Sequence, residues 1–312
     1  MSTNYQKSLG EGFSSGQIGA ALNYDPNDRY GGQMIGGFYA EGIRKAGGSY
    51  QGTYVQASAQ NYLLGTRRIT RDGRVFYYAK CSASRTSGMA MMFNGGRFAT
   101  VGTDGGAVLP VAIVAGDNHC HVSIAATDGS NQGSYESADG AVAADELYGG
   151  YLYLYGTNGG SGSDTYQREN RMITGNTAQA AGAGTITVNV EEPFTYAHAV
   201  SSIKVEIWPN PWATLAMVAE TYLSIAGFPA PGTVTSGYYF WCQTWGPCRI
   251  SGQDYNLGEN ANQRNLWFGP DGSIRNATVI TASNYGFQHA GFLLSRTGAS
   301  YGDTFIFLQI TP

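Results

Sequence analysis

Charged residues are scarce in this sequence. Only 13% of its residues are Asp, Glu, Lys or Arg, about half the share of an ordinary soluble domain. Lysine is the rarest of them, with 4 residues against 14 arginines. Because a solitary soluble protein usually covers its surface with Lys and Glu, the shortage predicts that contacts with other chains occupy much of this surface.

Other missing features exclude whole classes of protein. No apolar run reaches the roughly 18 residues of a membrane-spanning helix, so we expect no membrane partner. The formal net charge of -4 argues against a nucleic-acid partner bound through its phosphates. The N-terminal thirty residues lack the apolar segment of a signal peptide, which predicts synthesis and assembly in a reducing cytoplasm.

Cysteine is sparse as well. The chain has 4 cysteines, namely Cys81, Cys120, Cys242 and Cys248. A disulfide framework usually packs more cysteines into fewer residues. We therefore expect free thiols, and a bridge between Cys242 and Cys248 is the alternative.

The common motifs of enzyme chemistry are missing too, since the chain contains no Gly-x-Ser-x-Gly, phosphate loop or His-Glu-x-x-His. On a strand, His119 and His121 would share one side and supply two of the three or four ligands that zinc needs. We favour the simpler interpretation, in which these residues are the polar beginning of a strand and bind no metal. Two sequential carboxylate pairs are present, Asp145–Glu146 and Glu191–Glu192. On a strand the two members of each pair would point to opposite faces, unlike the paired carboxylates of a glycosidase. We predict a protein that is not an enzyme, with no catalytic residue, metal or cofactor.

Glycine and aromatic residues are plentiful, with 45 Gly, 22 Tyr and 13 Phe. From Leu63 onward, short β-rich runs alternate with turn signals, beginning with a hairpin over Arg67–Ala79 that turns at Asp72–Gly73. The later runs are Val108–Val114, His121–Ala125, Tyr151–Tyr155, Thr185–Val190, Ile203–Trp208, Gly237–Thr244, Phe287–Leu294 and Thr304–Ile310. Helical patterns are limited to Ala141–Tyr148 and an ambiguous Trp212–Tyr222. We predict an all-β fold, with β-sandwich or barrel-like domains of short hairpin-linked strands.

Residues 1–60 differ from the rest, because Gly, Ser, Gln, Asn and Tyr dominate and eight large aromatic residues recur without a regular period. An arm that extends across a partner can anchor such rings in pockets. A loop-rich part of the globular domain is the alternative. We predict an extended Gly/Tyr-rich N-terminal arm at 1–60, a first β region at 61–135 and a second β domain at 136–312.

Two predicted strands, Tyr151–Tyr155 and Phe305–Leu308, are apolar on both faces. A strand with one solvated face should alternate apolar and polar residues. We therefore expect both strands to be covered on both sides, either by a second sheet or by another subunit.

Three tryptophans, Trp241, Trp245 and Trp267, could stack on sugars in a carbohydrate-binding protein. In Gly237–Thr244, however, aromatic and small residues are arranged as in a packed strand. We favour the core for these rings.

Three stretches resemble virion proteins of tailed bacteriophages. Leu64–Arg67 leading into Asp72–Lys80 resembles an "LGT…DGRVFxYAK" opening. Leu147–Tyr153 resembles a "YxDGYLYxND" element, with Gly149 in place of the usual Asp. Gly237–Pro247 resembles a "GYYxWVQTWGP" element.

The resemblance implies a phage structural protein encoded near the capsid gene, a head decoration or cement protein with no catalytic residues. Its expected partner is the major capsid protein, its expected state a homotrimer, and its expected location the exterior of the virion capsid. The capsid contacts that we predict on the arm are Tyr5, Phe13, Tyr24, Arg29, Tyr30 and Arg44. The alternative function is a lectin-like, fibre or neck virion protein that contacts the host surface.

Overall fold

The computed structural model describes residues 23–24, 33–35, 49–70, 72–82, 84, 88–93, 107–126, 140–156, 168–200, 203–217, 224–250, 257, 264–269, 272–276, 288–295 and 304–311. At 23–24, 33–35, 107–108, 156 and 217 the description covers the backbone alone.

The chain divides into two compact units. The first unit combines Met1–Phe93 with Leu215–Pro312, and the second is the continuous segment Asn94–Thr214. These boundaries differ from the predicted ones at residues 60 and 135. The difference arises because strands from the two ends of the chain pair with each other, which local sequence patterns do not reveal.

The described residues form eighteen β-strands and one short 3-10 helix, Pro211–Ala213. In chain order the strands are β1 (Asn23–Tyr24), β2 (Gln33–Ile35), β3 (Arg67–Ile69), β4 (Val75–Lys80), β5 (Met91–Phe93), β6 (Ala107–Val108), β7 (His119–Ile124), β8 (Tyr151–Gly156), β9 (Glu169–Asn176), β10 (Gly184–Val190), β11 (Ile203–Trp208), β12 (Leu215–Met217), β13 (Ile225–Pro229), β14 (Tyr239–Ile250), β15 (Asn265–Phe268), β16 (Ile274–Asn276), β17 (His289–Ser295) and β18 (Thr304–Gln309). The prediction of an all-β fold is confirmed.

The first unit is built on a twelve-stranded antiparallel sheet. Its main path runs β1-β2-β3-β4-β14-β18-β17-β15-β16, and β13, β5 and β12 continue from β14. A cluster of buried apolar side chains, including Ile250, Leu266, Ile306 and Leu308, forms its main core. Because side chains alternate between the two faces of a strand, the neighbours of these residues lie on the opposite face.

The second unit is a six-stranded antiparallel sheet in the order β6-β11-β8-β9-β10-β7. The strands at its two ends, β6 and β7, approach each other, so the sheet curls toward a barrel. Apolar residues on one face of each central strand, such as Leu152, Leu154, Val205 and Ile207, are fully buried. They form the interior of this unit.

The predicted hairpin over Arg67–Ala79 is present as β3 and β4. Gly73 in its turn has a φ of 80°, a conformation that glycine adopts at little cost. None of the helices in the described part of the chain is long or apolar enough to cross a membrane.

The helix considered for Ala141–Tyr148 is wrong. The segment forms consecutive turns, with Asp145 in the left-handed region at a φ of 59°. The Asn176 side chain holds these turns, since its amide oxygen accepts from Leu147 N at 2.9 Å and its amide nitrogen donates to Ala143 O at 2.8 Å. These bonds to a distant strand take the place of helical ones. In the ambiguous Trp212–Tyr222, the described residues 212–217 span the end of the 3-10 helix and β12.

The described part of residues 1–60 contacts the chain's own sheet. Strand β2 pairs with both β1 and β3, and Ala57 exchanges backbone hydrogen bonds with Tyr239. The Gln51 side chain is buried and donates to Tyr239 O at 2.9 Å. Residues 49–60 therefore correspond to the alternative considered above, a loop-rich part of the globular domain. Apart from 49–60 and the backbone of β1 and β2, the predicted arm lies outside the described residues.

All four cysteines are free, as predicted, and all four are buried. Burial raises the pKa of the Cys120 and Cys248 thiols to about 12 and raises that of Cys242 as well. The thiolate is the reactive form of cysteine. These thiols should therefore react slowly with reagents in solution, because the raised pKa keeps them protonated and the surrounding side chains block access to them.

We predict that a water-soluble disulfide reagent at mildly alkaline pH leaves the thiols of the folded protein unmodified. After unfolding in denaturant without reductant, the same reagent should titrate 4 thiols per chain. Rapid modification of the folded protein, or a lower count after unfolding, would contradict the buried free thiols.

Candidate functional site

Trp241 belongs to the core of the first unit and is 0% exposed. Its ring lies 5.1 Å from the rings of Tyr62 and Tyr78, measured between centroids. Its indole N–H donates to Gln51 O at 3.2 Å. The core role favoured from the sequence is therefore correct for this residue, and it is not available for sugar stacking.

The first unit carries an aromatic surface on the outer face of β14, β18, β17 and β15. We call it the phenylalanine face and define it as Trp245, Trp267, Phe292, Phe305 and Phe307. The residues between them in sequence, such as Ile306 and Leu308, point into the core. The four strands place the aromatic side chains side by side because Pro247, Phe307, Phe292 and Asn265 form one cross-strand row.

The rings of this face contact one another. Phe292 and Phe307 are stacked, with centroids 5.1 Å apart and planes within 3°. Trp245 meets Phe307 edge-on at 5.7 Å. Phe292 and Phe305 nevertheless remain 36% and 38% exposed. A contiguous, partly exposed apolar surface of this kind is typical of an interaction site.

The charge on the phenylalanine face is of one sign. Its four strands contain a single Arg, the exposed Arg249, and no Asp or Glu. Arg249 is the cross-strand partner of Phe305. Aromatic residues and Arg are enriched at the centres of protein interfaces, where Lys and Glu are depleted. The face therefore suits an apolar partner surface that carries a carboxylate.

The second unit carries an aromatic row on the outer face of β8 and β11. We call it the tyrosine face and define it as Tyr151, Tyr153, Tyr155 and Trp208. Tyr151 and Trp208 are directly opposite each other and are 44% and 43% exposed. They lie outside because Leu152 and Leu154 occupy the inner face of β8.

Polar groups accompany the tyrosine face. The rings of Tyr153 and Tyr155 stack at 5.5 Å with planes within 24°. The Tyr155 hydroxyl donates to Glu206 Oε1 at 3.1 Å, and Lys204 is the next outward residue on β11. Flat rings beside fixed hydrogen-bonding groups are the elements of a binding surface for polar ligands with apolar faces.

Both runs predicted to be covered on both sides therefore have one buried and one partly exposed face. In Tyr151–Tyr155 and in Phe305–Leu308, the even-numbered apolar residues are buried and the odd-numbered aromatic residues face outward. No second sheet of the same unit covers the outward rings within the described ranges. Cover by another subunit, the other possibility raised by the sequence, stays a prediction.

A buried carboxylate, that of Glu169 in β9, binds several groups on the inner side of the second unit's sheet. Glu169 Oε2 accepts from Arg171 at 2.6 Å, and Oε1 accepts from His198 Nε2 at 3.2 Å. The backbone amides of Thr195 and Tyr196 also donate to this carboxylate, at 3.1 and 2.9 Å. Because Glu169 and His198 are both almost fully buried, this cluster braces the loop that carries Thr195 and Tyr196.

The predicted capsid contacts fall largely outside the described residues. Tyr24 lies in β1, where the backbone alone is described, and the others have no described position, namely Tyr5, Phe13, Arg29, Tyr30 and Arg44.

The other two tryptophans named from the sequence, Trp245 and Trp267, are half-buried members of the phenylalanine face. The sequence analysis did not select Phe292 or Trp208. Its two apolar runs did indicate β18 and β8, the strands that pair with those of Phe292 and Trp208.

Within the part of the chain that the structure describes, no group of three or more His, Cys, Asp or Glu side chains is arranged to hold a metal ion. His119 and His121 lie on the same side of β7, as the sequence predicts, with ring centroids 5.9 Å apart.

No protein-family model, curated protein or solved structure matches this chain.

We predict that Glu169→Gln destabilises the second unit by about 1.5–3 kcal/mol, since it removes the buried carboxylate charge that accepts from His198 and from the partly exposed Arg171. Chemical denaturation monitored by circular dichroism measures the loss. Glu192→Gln removes the same charge at an exposed position and should change the free energy of unfolding by about 0.5 kcal/mol or less. Equal effects of the two substitutions would contradict the bracing role.

Proposed function

We propose that this chain is a non-enzymatic structural protein of a tailed-bacteriophage virion, which binds the outside of the capsid shell and stabilises it. The observation that carries the proposal is the phenylalanine face, a partly exposed aromatic surface with one cation and no anion in its strands. The resemblance of Leu64–Lys80, Leu147–Tyr153 and Gly237–Pro247 to phage virion proteins supplies the identity of the partner.

A cement protein acts by adding contact area across the seams between capsomers. Binding energy in protein interfaces is concentrated in a few buried aromatic residues and arginines. The phenylalanine face supplies both residue types within one sheet, and Arg249 can form a bidentate pair with a carboxylate of the partner. In this proposal the partner is the major capsid protein, the chain assembles as a homotrimer, and the residues before Ser49 add further contacts.

Binding of the purified chain to capsids that lack it tests the proposal. Phe305→Ser and Arg249→Gln should each weaken binding about tenfold or more, equivalent to about 1.4 kcal/mol, because both residues lie at the surface that becomes buried. Co-sedimentation with capsids of the encoding phage, over a range of protein concentrations, measures the change.

Val114→Ser is the matched control, since Val114 is 63% exposed but lies in the second unit. It should leave capsid binding unchanged. Absence of the chain from purified virions would refute the proposal. The number of copies per virion separates the remaining cases, because hundreds indicate a decoration protein and a handful indicate a neck, tail or fibre component.

Carbohydrate binding is the second candidate function, and the tyrosine face favours it. A pyranose ring offers a flat C–H face that stacks on an aromatic ring, while its hydroxyls need nearby hydrogen-bonding groups. The stacked Tyr153 and Tyr155, with Glu206 and Lys204 beside them, provide both. A receptor-binding virion protein would use this surface to contact host polysaccharide.

A glycan array tests the second candidate. If it is correct, Tyr151→Ala should abolish glycan binding without unfolding the protein, because the ring is half exposed and contributes little to the core. Tyr196→Ala is the control, since Tyr196 is similarly exposed, at 40%, in the same unit but lies outside the tyrosine face. The decoration proposal predicts no glycan binding by either the wild type or the variants.

A further inference from the structure

Two imidazoles project from one side of β7 in the second unit. His119 is exposed and His121 is partly exposed, while Cys120 between them points into the core. Their ring centroids are 5.9 Å apart. Two imidazoles that share one metal ion through bonds of about 2.1 Å at a tetrahedral angle have centroids about 5 Å apart, so small side-chain rotations bring the two rings to that distance.

The second nitrogen of each ring has an oxygen beside it. His121 Nδ1 lies 3.2 Å from the hydroxyl oxygen of Thr187, its cross-strand partner on β10. His119 Nδ1 lies 3.4 Å from the side-chain oxygen of Asn118. Metal-binding histidines typically donate the N–H of their other nitrogen to an oxygen in this way, which fixes the tautomer and the ring orientation.

This arrangement leaves the same atom available on both rings. When Nδ1–H donates to its neighbouring oxygen, Nε2 carries the lone pair that binds a metal. The Nε2 atoms of His119 and His121 have no hydrogen-bond partner among the residues that the structure describes.

The chain's thiols cannot join these two imidazoles, and the acidic residue nearest to them in sequence already accepts a hydrogen bond. All four thiols are buried, and Asp117, two residues before His119, accepts a hydrogen bond from Val114 N at 3.0 Å. Of the other two histidines, His198 is buried on Glu169 and His289 packs against Trp267. Among the histidines, the pair on β7 therefore combines two neighbouring imidazoles with solvent exposure, which neither His198 nor His289 does.

We propose that His119 and His121 form a surface site for one divalent transition-metal ion, which binds the two Nε2 atoms while water occupies its remaining positions. Imidazole ligands suit Cu²⁺, Ni²⁺ and Zn²⁺, and the expected order of affinity places Cu²⁺ first. This inference is independent of the proposed function, since it involves neither aromatic face.

Calorimetric titration of the purified chain with Ni²⁺ alone, and then with Zn²⁺ alone, tests the site. We expect one ion per chain, and His119→Gln and His121→Gln should each weaken binding about tenfold or more because two ligands act together. His289→Gln is the matched control and should bind within about twofold of the wild type. Unchanged binding in both of the first two variants would overturn the proposal.

Thr187 provides a second comparison. Thr187→Val keeps the β-branched shape but removes the hydroxyl beside His121, and it should weaken Ni²⁺ binding about tenfold. Thr187→Ser restores the hydroxyl and should restore the affinity. Equal affinities of the Val and Ser variants would show that this hydroxyl does not position the ring.

Nuclear magnetic resonance gives a readout that needs no substitution. The chain has 4 histidines, so the imidazole region of the spectrum contains few signals. Substoichiometric paramagnetic Cu²⁺ should broaden the ring C–H signals of two imidazoles, those of His119 and His121, and leave those of His198 and His289 sharp. Equal broadening of all signals, or none at all, would refute the site.

Discussion

The first unit depends on β14, which pairs with three other strands, β4, β13 and β18. Tyr239–Gln243 pairs with β4, Trp245–Ile250 pairs with β18, and the register to β4 shifts between Gln243 and Trp245. At the shift, the Gln243 amide nitrogen lies within 3.0–3.4 Å of three carbonyl oxygens, those of Trp245, Gly246 and Pro247. Gly246 has a φ of 92°, and a Cβ there would lie 2.9 Å from the Arg74 side chain. The same strand thus supplies Trp241 to the core and Trp245 to the phenylalanine face.

Local patterns in the sequence were sufficient for the strand class and for most strand positions. The Asp72–Gly73 turn, the run Ile203–Trp208 and the runs near β10 and β18 all appear as predicted, because alternation and turn residues act over a few neighbours. The apolar runs also indicated which strands carry the two aromatic faces. Their outward rings are visible in the sequence as aromatic residues where polar ones would be expected.

Long-range contacts explain what the sequence did not show. The pairing of β4 with β14 joins residues about half the chain apart, and no local pattern encodes it. The Ala141–Tyr148 segment has a helical composition, but hydrogen bonds from Asn176 hold it as turns. The oxygens beside His119 and His121 come partly from another strand, so sequence spacing could show the pair but not the orientation of the rings.

The interruption of the first unit by the second has a consequence for biosynthesis. Strand β4 emerges from the ribosome about 160 residues before its partner in β14, whereas the second unit is continuous and contains all of its own sheet. Contacts between distant residues form slowly, and chains fold as successive segments become available. The middle of the chain can therefore fold before its beginning. During that interval the edge of β4 that later pairs with β14 is unpaired, and an unpaired strand edge can pair with the wrong partner.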